Sequence, residues 1–150
     1  MNPGYYKIPL NVNSLMNFVD LPKSNLHDSI MQYLQLLIVT KFGELDSDTN
    51  FGCKIWEDDF CLSTNHLNYI EEMKDHLQKV IKQYEKRLSD VKMNILISQE
   101  VTGDSSGNTD KRIKSNIRTR LDIKVNGIIT KTNSAFNTVY SMYINPYSSL

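Results

Sequence analysis

A chain of 150 residues with 40% hydrophobic content can enclose one core without staples, and its 17 basic residues offset its 17 acidic ones. Bulk charge therefore excludes the simplest arguments for a nucleic acid, a membrane surface or an acidic partner. Three histidines without ligand spacing and two cysteines, Cys53 and Cys61, outside any Cys-x-x-Cys pattern point to no metal and no cofactor.

The start, Met1 to Lys7, lacks the basic region and apolar run of a signal peptide, and Leu34 to Val39 is far short of the roughly 20 apolar residues that span a bilayer. A cytoplasmic protein without direct membrane insertion is expected. Residues 1–22 hold Pro3, Pro9 and Pro22 among scattered apolar positions such as Ile8, Leu10, Leu15, Met16 and Phe18. This pattern predicts an extended arm lying along the domain or a neighbour, followed by one domain over 23–150.

A helix is predicted from Ser24 as N-cap, with Asp28 in its first turn and Leu26, Ile30, Tyr33, Leu34 and Leu37 on one face. Gly43 is expected to stop it. The connector that follows, Phe51 to Phe60, combines Gly52, Trp56, Phe60 and the acids Glu57, Asp58 and Asp59. A second helix starts near Thr64 or Asn65, with Leu67, Ile70, Met73, Leu77, Val80, Ile81 and Tyr84 facing inward and an Asp75–Lys79 pair outside.

After Arg87 the period changes from helical to alternating. Val91, Met93, Ile95 and Ile97 predict a strand, Glu100 to Lys111 a long loop, and Ile117, Thr119, Leu121, Ile123 and Val125 a second strand. Asn126-Gly127 reads as a tight hairpin turn before Phe136, Thr138, Tyr140, Met142 and Ile144. The fold class is α+β: an extended arm, then two main helices packed on one face of a C-terminal antiparallel sheet.

Three chemical motifs are weighed. Gly103-Asp104-Ser105-Ser106-Gly107 superficially resembles a nucleophile loop, but no His or Asp partner is placed by its context, so no catalytic residue is assigned there. Glu44 with Glu57, Asp58 and Asp59 could supply the carboxylate pair of a peptidoglycan glycoside hydrolase, although no aromatic stripe for stacking sugars accompanies them. Arg118, Arg120 and Lys124, led by Lys111, Arg112 and Lys114, could follow phosphates as a nucleic-acid module, yet Asp122 interrupts the face and bases would find no aromatic platform.

Tyr5-Tyr6-Lys7-Ile8-Pro9-Leu10, the run Leu37-Ile38-Val39-Thr40 leading to Phe42-Gly43-Glu44, and Phe51 through Phe60 together resemble the baseplate wedge family of contractile tail machines, the TssE component of type VI secretion systems, in its Bacteroidota variant. The resemblance implies a non-enzymatic baseplate subunit that joins other wedge subunits, seats the first ring of contractile sheath proteins and has no small-molecule substrate. That family has sometimes carried a lysozyme-like label. Its Glu-Pro-Arg motif falls on Glu85, Lys86 and Arg87, with the proline missing. The resemblance implies that Glu85 and Arg87 form an interface pair. An extended backbone would point them the same way, and a continued helix would separate them by about 200°.

Gly52, Trp56 and Phe60 complete the candidate interface, Gly52 by allowing close backbone approach and the two aromatics as anchors. The competing reading is a local core beneath the connector. An exposed edge of the C-terminal sheet is also expected to accept a partner strand.

Overall fold

A computed structural model describes residues 4–56, 66–102 and 116–144. Tyr5–Tyr6 (β1) pairs antiparallel with Lys23–Ser24 (β2), and Lys7 N donates to Pro22 O at 3.0 Å. Between them Val12–Met16 forms a short helix (α1) where an extended arm is expected, because the Asn11 side chain accepts from the Asn13 and Ser14 amides as an N-cap. Val12, Met16 and Phe18 on this segment are exposed.

Helix α2 spans Leu26–Val39, and its N-cap is Asn25, one residue after the expected Ser24. Asn25 accepts from the Asp28 amide at 2.7 Å and donates to its carboxylate at 2.9 Å, while Ser24 is taken by β2. Ile30, Leu34, Leu37 and Ile38 are fully buried. The helix ends at Thr40, ahead of Gly43, because the chain turns extended there to meet residues 52–53. Cys53 N donates to Thr40 O at 2.8 Å and Phe42 N to Cys53 O at 3.1 Å.

Helix α3, His66–Tyr84, presents Met73, Leu77, Val80 and Ile81 to the core. Three long strands follow, β3 (Leu88–Thr102), β4 (Asn116–Ile129) and β5 (Ser134–Ile144), in the antiparallel order β3-β4-β5. Val91, Met93 and Ile95, then Leu121, Ile123 and Val125, then Phe136 fill the inner face beneath α2 and α3, whereas Leu96, Val139 and Tyr143 stand on the open face. The α+β class and the helices on one sheet face are thus both present. Among the described residues no helix is long and apolar enough to cross a membrane.

Asn126-Gly127 is not the hairpin turn. Both residues lie within β4, where Gly127 pairs with Phe136, and the turn falls at residues 130–133 between the closing pair Ile129 and Ser134. Asn133 there takes φ 50°, a conformation asparagine tolerates. Gly127 answers a different need: Asp90 and Val91 bulge out of β3 opposite it, and a Cβ on Gly127 would stand 3.2 Å from Ser89 O. The bulge is held from above, since Gln78 of α3 donates to Val91 O at 2.7 Å.

Candidate functional site

Helix α3 stops at Tyr84 although Lys86, unlike a proline, could continue it. Glu85 N still donates to Ile81 O at 2.8 Å, and Leu88 N closes a turn onto Glu85 O at 3.3 Å. The chain must enter β3 at this point, and Arg87 O is claimed by the 130–133 turn through the Thr130 amide at 2.9 Å and hydroxyl at 3.1 Å. Tertiary pairing therefore supplies the helix stop without a proline.

This turn brings Glu85 and Arg87 into direct contact, the arrangement expected of a non-helical backbone. Arg87 Nε lies 2.8 Å from Glu85 Oε1 and Nη2 lies 2.5 Å from Oε2, a bidentate fork, while the Arg87 amide also donates to Oε1 at 3.0 Å. Nη1 reaches across to Ser29 Oγ of α2 at 3.0 Å. The two members are unequal in exposure: Glu85 is 2% exposed, whereas the Arg87 side chain is 31% exposed. Glu85 has almost no surface to offer a second molecule, and its geometry is that of a brace for Arg87.

Aromatic rings surround the guanidinium. Its carbon lies 5.5 Å from the Tyr5 ring of the arm and 6.0 Å from the Tyr33 ring of α2. Phe51 stands between Tyr33 and Tyr84 at centroid distances of 6.2 and 5.2 Å, and the Tyr84 hydroxyl donates to Asp48 at 2.8 Å. The hydrogen bonds to Glu85 raise the Arg87 pKa further, so it stays a cation at any working pH. Burial, followed by the negative charge of Glu85, pushes the Tyr33 hydroxyl up, which keeps it neutral.

The remaining candidates serve the interior. Gly52 is buried at φ 113°, and a Cβ on it would meet Lys41 O at 2.7 Å and Thr40 O at 2.8 Å. The close approach it allows is thus to the chain's own backbone. Trp56 is half-buried and donates from its indole nitrogen to Ile38 O at 2.8 Å, satisfying a carbonyl that the end of α2 leaves orphaned. Phe51 is 8% exposed and belongs to the core. Trp56→Phe removes one donor and strands that carbonyl, so a loss of about 1–2 kcal/mol is expected in denaturant unfolding.

Phe60, with Glu57, Asp58, Asp59 and Cys61, lies outside the described residues, as do Thr64, Asn65, the Gly103–Gly107 loop and Lys111, Arg112 and Lys114. Glu44 is an exposed carboxylate that closes its own turn by accepting from Lys41 N at 2.8 Å, which is not the apolar pocket a general acid requires. On the open sheet face Arg120 is matched by Asp122 at 3.0 Å and Glu100 at 3.4 Å, so the basic strand carries its own counter-charges. Among the described residues no group of His, Cys, Asp and Glu could hold a metal.

Ser29, Tyr5 and Tyr33 were not among the sequence candidates for this site. Ser29 lies 58 residues from Arg87, and no local signal marks such a pairing.

The fold is shared with solved structures. A candidate tail lysozyme from Geobacter sulfurreducens shares it with a TM-score of 0.56 at 19% identity, over 86% of this chain and 100% of that one. A chain of the baseplate complex from the type VI secretion system aligns with a TM-score of 0.44 at 12% identity, over 78% of this chain and 92% of that one. No curated protein matches the sequence. The family described as baseplate wedge protein gp25 matches residues 24–133, and the chain belongs to that family. The match covers α2, the connector, α3 and the sheet as far as the β4–β5 turn, including the whole Glu85–Arg87 turn.

Proposed function

We propose that this protein is a non-catalytic structural subunit in the baseplate of a type VI secretion system, working on the cytoplasmic side of the inner membrane. The observation that carries the reading is the family match across residues 24–133. Its physical expression is the Glu85–Arg87 turn: a buried carboxylate holds an arginine whose outer edge is open to solvent. Arg87 is the residue that meets the other wedge subunits, and Glu85 fixes its direction. This divides between two residues the role that the family motif suggests for a pair.

Seating of the first sheath ring falls to the sheet edge. Among the described residues β5 pairs on one side only, with β4, and β5 borders a groove of about 290 Å³ between Met31, Ile38 and Val39 of α2 and Thr138, Tyr140 and Met142. A strand laid there gains main-chain hydrogen bonds along β5 and a place for alternate side chains in the groove.

The test of the Arg87 role is Arg87→Lys. Lysine keeps a cation against Glu85 but loses the planar fork and its outer N–H groups. Loss of the fork and of the Ser29 contact is expected to lower stability by about 1–2 kcal/mol and leave the protein folded, whereas co-purification with other baseplate subunits falls at least about tenfold, as for a lost hydrogen-bonded interface contact. Unchanged recovery of those subunits by folded Arg87→Lys protein contradicts the role. The structural reading also carries the expectation that the purified protein does not cleave peptidoglycan. Turnover that Glu44→Gln or Asp58→Asn abolishes would overturn it in favour of the hydrolase.

A further inference from the structure

Arg87 sits at the meeting point of two segments that the sequence keeps far apart, the end of α3 and the N-terminal arm. The arm is attached lightly. Its described anchors are the β1–β2 pairing, the Lys7 N to Pro22 O bond, the Ile8 amide donating to Gln32 Oε1 at 3.0 Å, and the Tyr5 ring against the Arg87 guanidinium. Pairing of Tyr5 with Ser24 places the arm one residue before the Asn25 cap of α2, and Arg87 meets Tyr5 from the arm as well as Ser29 and Tyr33 from that helix. Among these anchors the Tyr5 ring is the one that touches the candidate site.

Arg87 has five N–H donors, of which Nε and one each from Nη2 and Nη1 go to Glu85 and Ser29. Of the two N–H groups that remain, one on each terminal nitrogen, the Tyr5 hydroxyl is placed to accept one, a contact that helps raise the Arg87 pKa, and the other is open to a partner. A guanidinium bonded on one side by Glu85 still tilts about that fork unless something holds its faces. Tyr5 and Tyr33 are the groups placed to do so.

Building on the Arg87 reading above, we propose that Tyr5 is a positioning residue of the interface, which makes the N-terminal arm part of the partner site, and that the partner group Arg87 receives is a neutral carbonyl oxygen. The charge of Arg87 is already matched by Glu85 at hydrogen-bond distance. A second carboxylate would gain little from a neutralised cation and would be repelled by Glu85, whereas a main-chain or amide carbonyl takes the one remaining N–H without that conflict.

The experiment compares Tyr5→Leu, Tyr5→Phe and Arg87→Lys with wild type in the full chain. Amide exchange at Ile8 is read on the isolated protein, and co-purification with baseplate subunits is read at low and high salt. Tyr5→Leu is expected to speed Ile8 exchange and to weaken co-purification, each about three- to tenfold, the range a partly buried cation–π contact supports. Tyr5→Phe keeps the ring but loses the hydroxyl beside the guanidinium, and is expected to fall between wild type and Tyr5→Leu in both. Wild-type co-purification is expected to change little with salt, because a neutral acceptor is not screened.

Three results overturn the proposal. If Tyr5→Leu leaves co-purification intact while Arg87→Lys loses it, the arm is no part of the interface and the reading of Arg87 stands. If neither variant loses partners, the Arg87 reading fails and this proposal fails with it. If Tyr5→Leu weakens binding but wild-type binding collapses as salt rises, the acceptor is a carboxylate and the carbonyl assignment is wrong.

Discussion

Arg87→Met is expected to destabilise the fold by about 2–4 kcal/mol in denaturant unfolding, one of the two largest single-residue effects in this chain. Removing one partner of a buried ion pair typically costs about 3–5 kcal/mol, because the other charge is left without compensation. Glu85 is that charge, at 2% exposure, and water reaching the 31% exposed Arg87 position tempers the loss. The companion Glu85→Gln/Arg87→Met is expected to recover at least about half of it. Glutamine keeps an acceptor for the Arg87 amide, which Glu85 Oε1 now takes at 3.0 Å, and no buried charge remains. A double variant no more stable than Arg87→Met alone would show that the pair does not act as a unit.

Gly52→Ala is expected to cost about 3–5 kcal/mol. Two mechanisms add at this position: φ of 113° is strained for any residue with a Cβ, and that Cβ would stand 2.7 Å from one main-chain oxygen and 2.8 Å from another. Backbone oxygens cannot rotate aside as a flexible side chain can. The Thr40–Cys53 and Phe42–Cys53 bonds would have to open, and Phe51, which packs against Tyr33 and Tyr84, would move with them. Gly43→Ala is the control, since its φ of 78° carries strain but nothing lies within 4 Å of its Cβ position. A loss of about 1–2 kcal/mol is expected there. Equal losses at the two glycines would mean that close approach to the 40–41 backbone plays no part.

Much of this fold is written in periodicity. The apolar stripe of α3 and the alternation from Leu121 to Val125 each satisfy one geometric rule over many residues, so both survive local exceptions. Asn126-Gly127 misleads for the opposite reason. A dipeptide carries the turn signal, yet Gly127 is required by a bulge in another strand, whose one local mark is Asp90, a residue type that tolerates the φ of 48° it takes there. Asn25 displaces Ser24 as cap because β1 recruits Ser24, a pairing between residues 19 positions apart.

The site divides in the same way. Glu85 and Arg87 are legible through their motif, and their contact follows once the chain leaves the helix at Tyr84. Their inequality is not legible, since it arises in the tertiary fold, where Arg87 meets Ser29, Tyr33 and Tyr5 from distant parts of the chain while Glu85 is buried. Gly52 and Trp56 carry the composition of an interface, yet Gly52 is packed against the Thr40 and Lys41 carbonyls and the Trp56 indole is spent on the carbonyl of Ile38.

Electron cryo-microscopy of baseplates isolated from cells producing the tagged, full-length chain tests the central claim most directly. The expected result is density for this chain within each wedge, with the Arg87 guanidinium against a neighbouring subunit and Glu85 enclosed behind it. Assembled wedges that lack the chain, or that hold it with Arg87 facing solvent, would contradict the assignment.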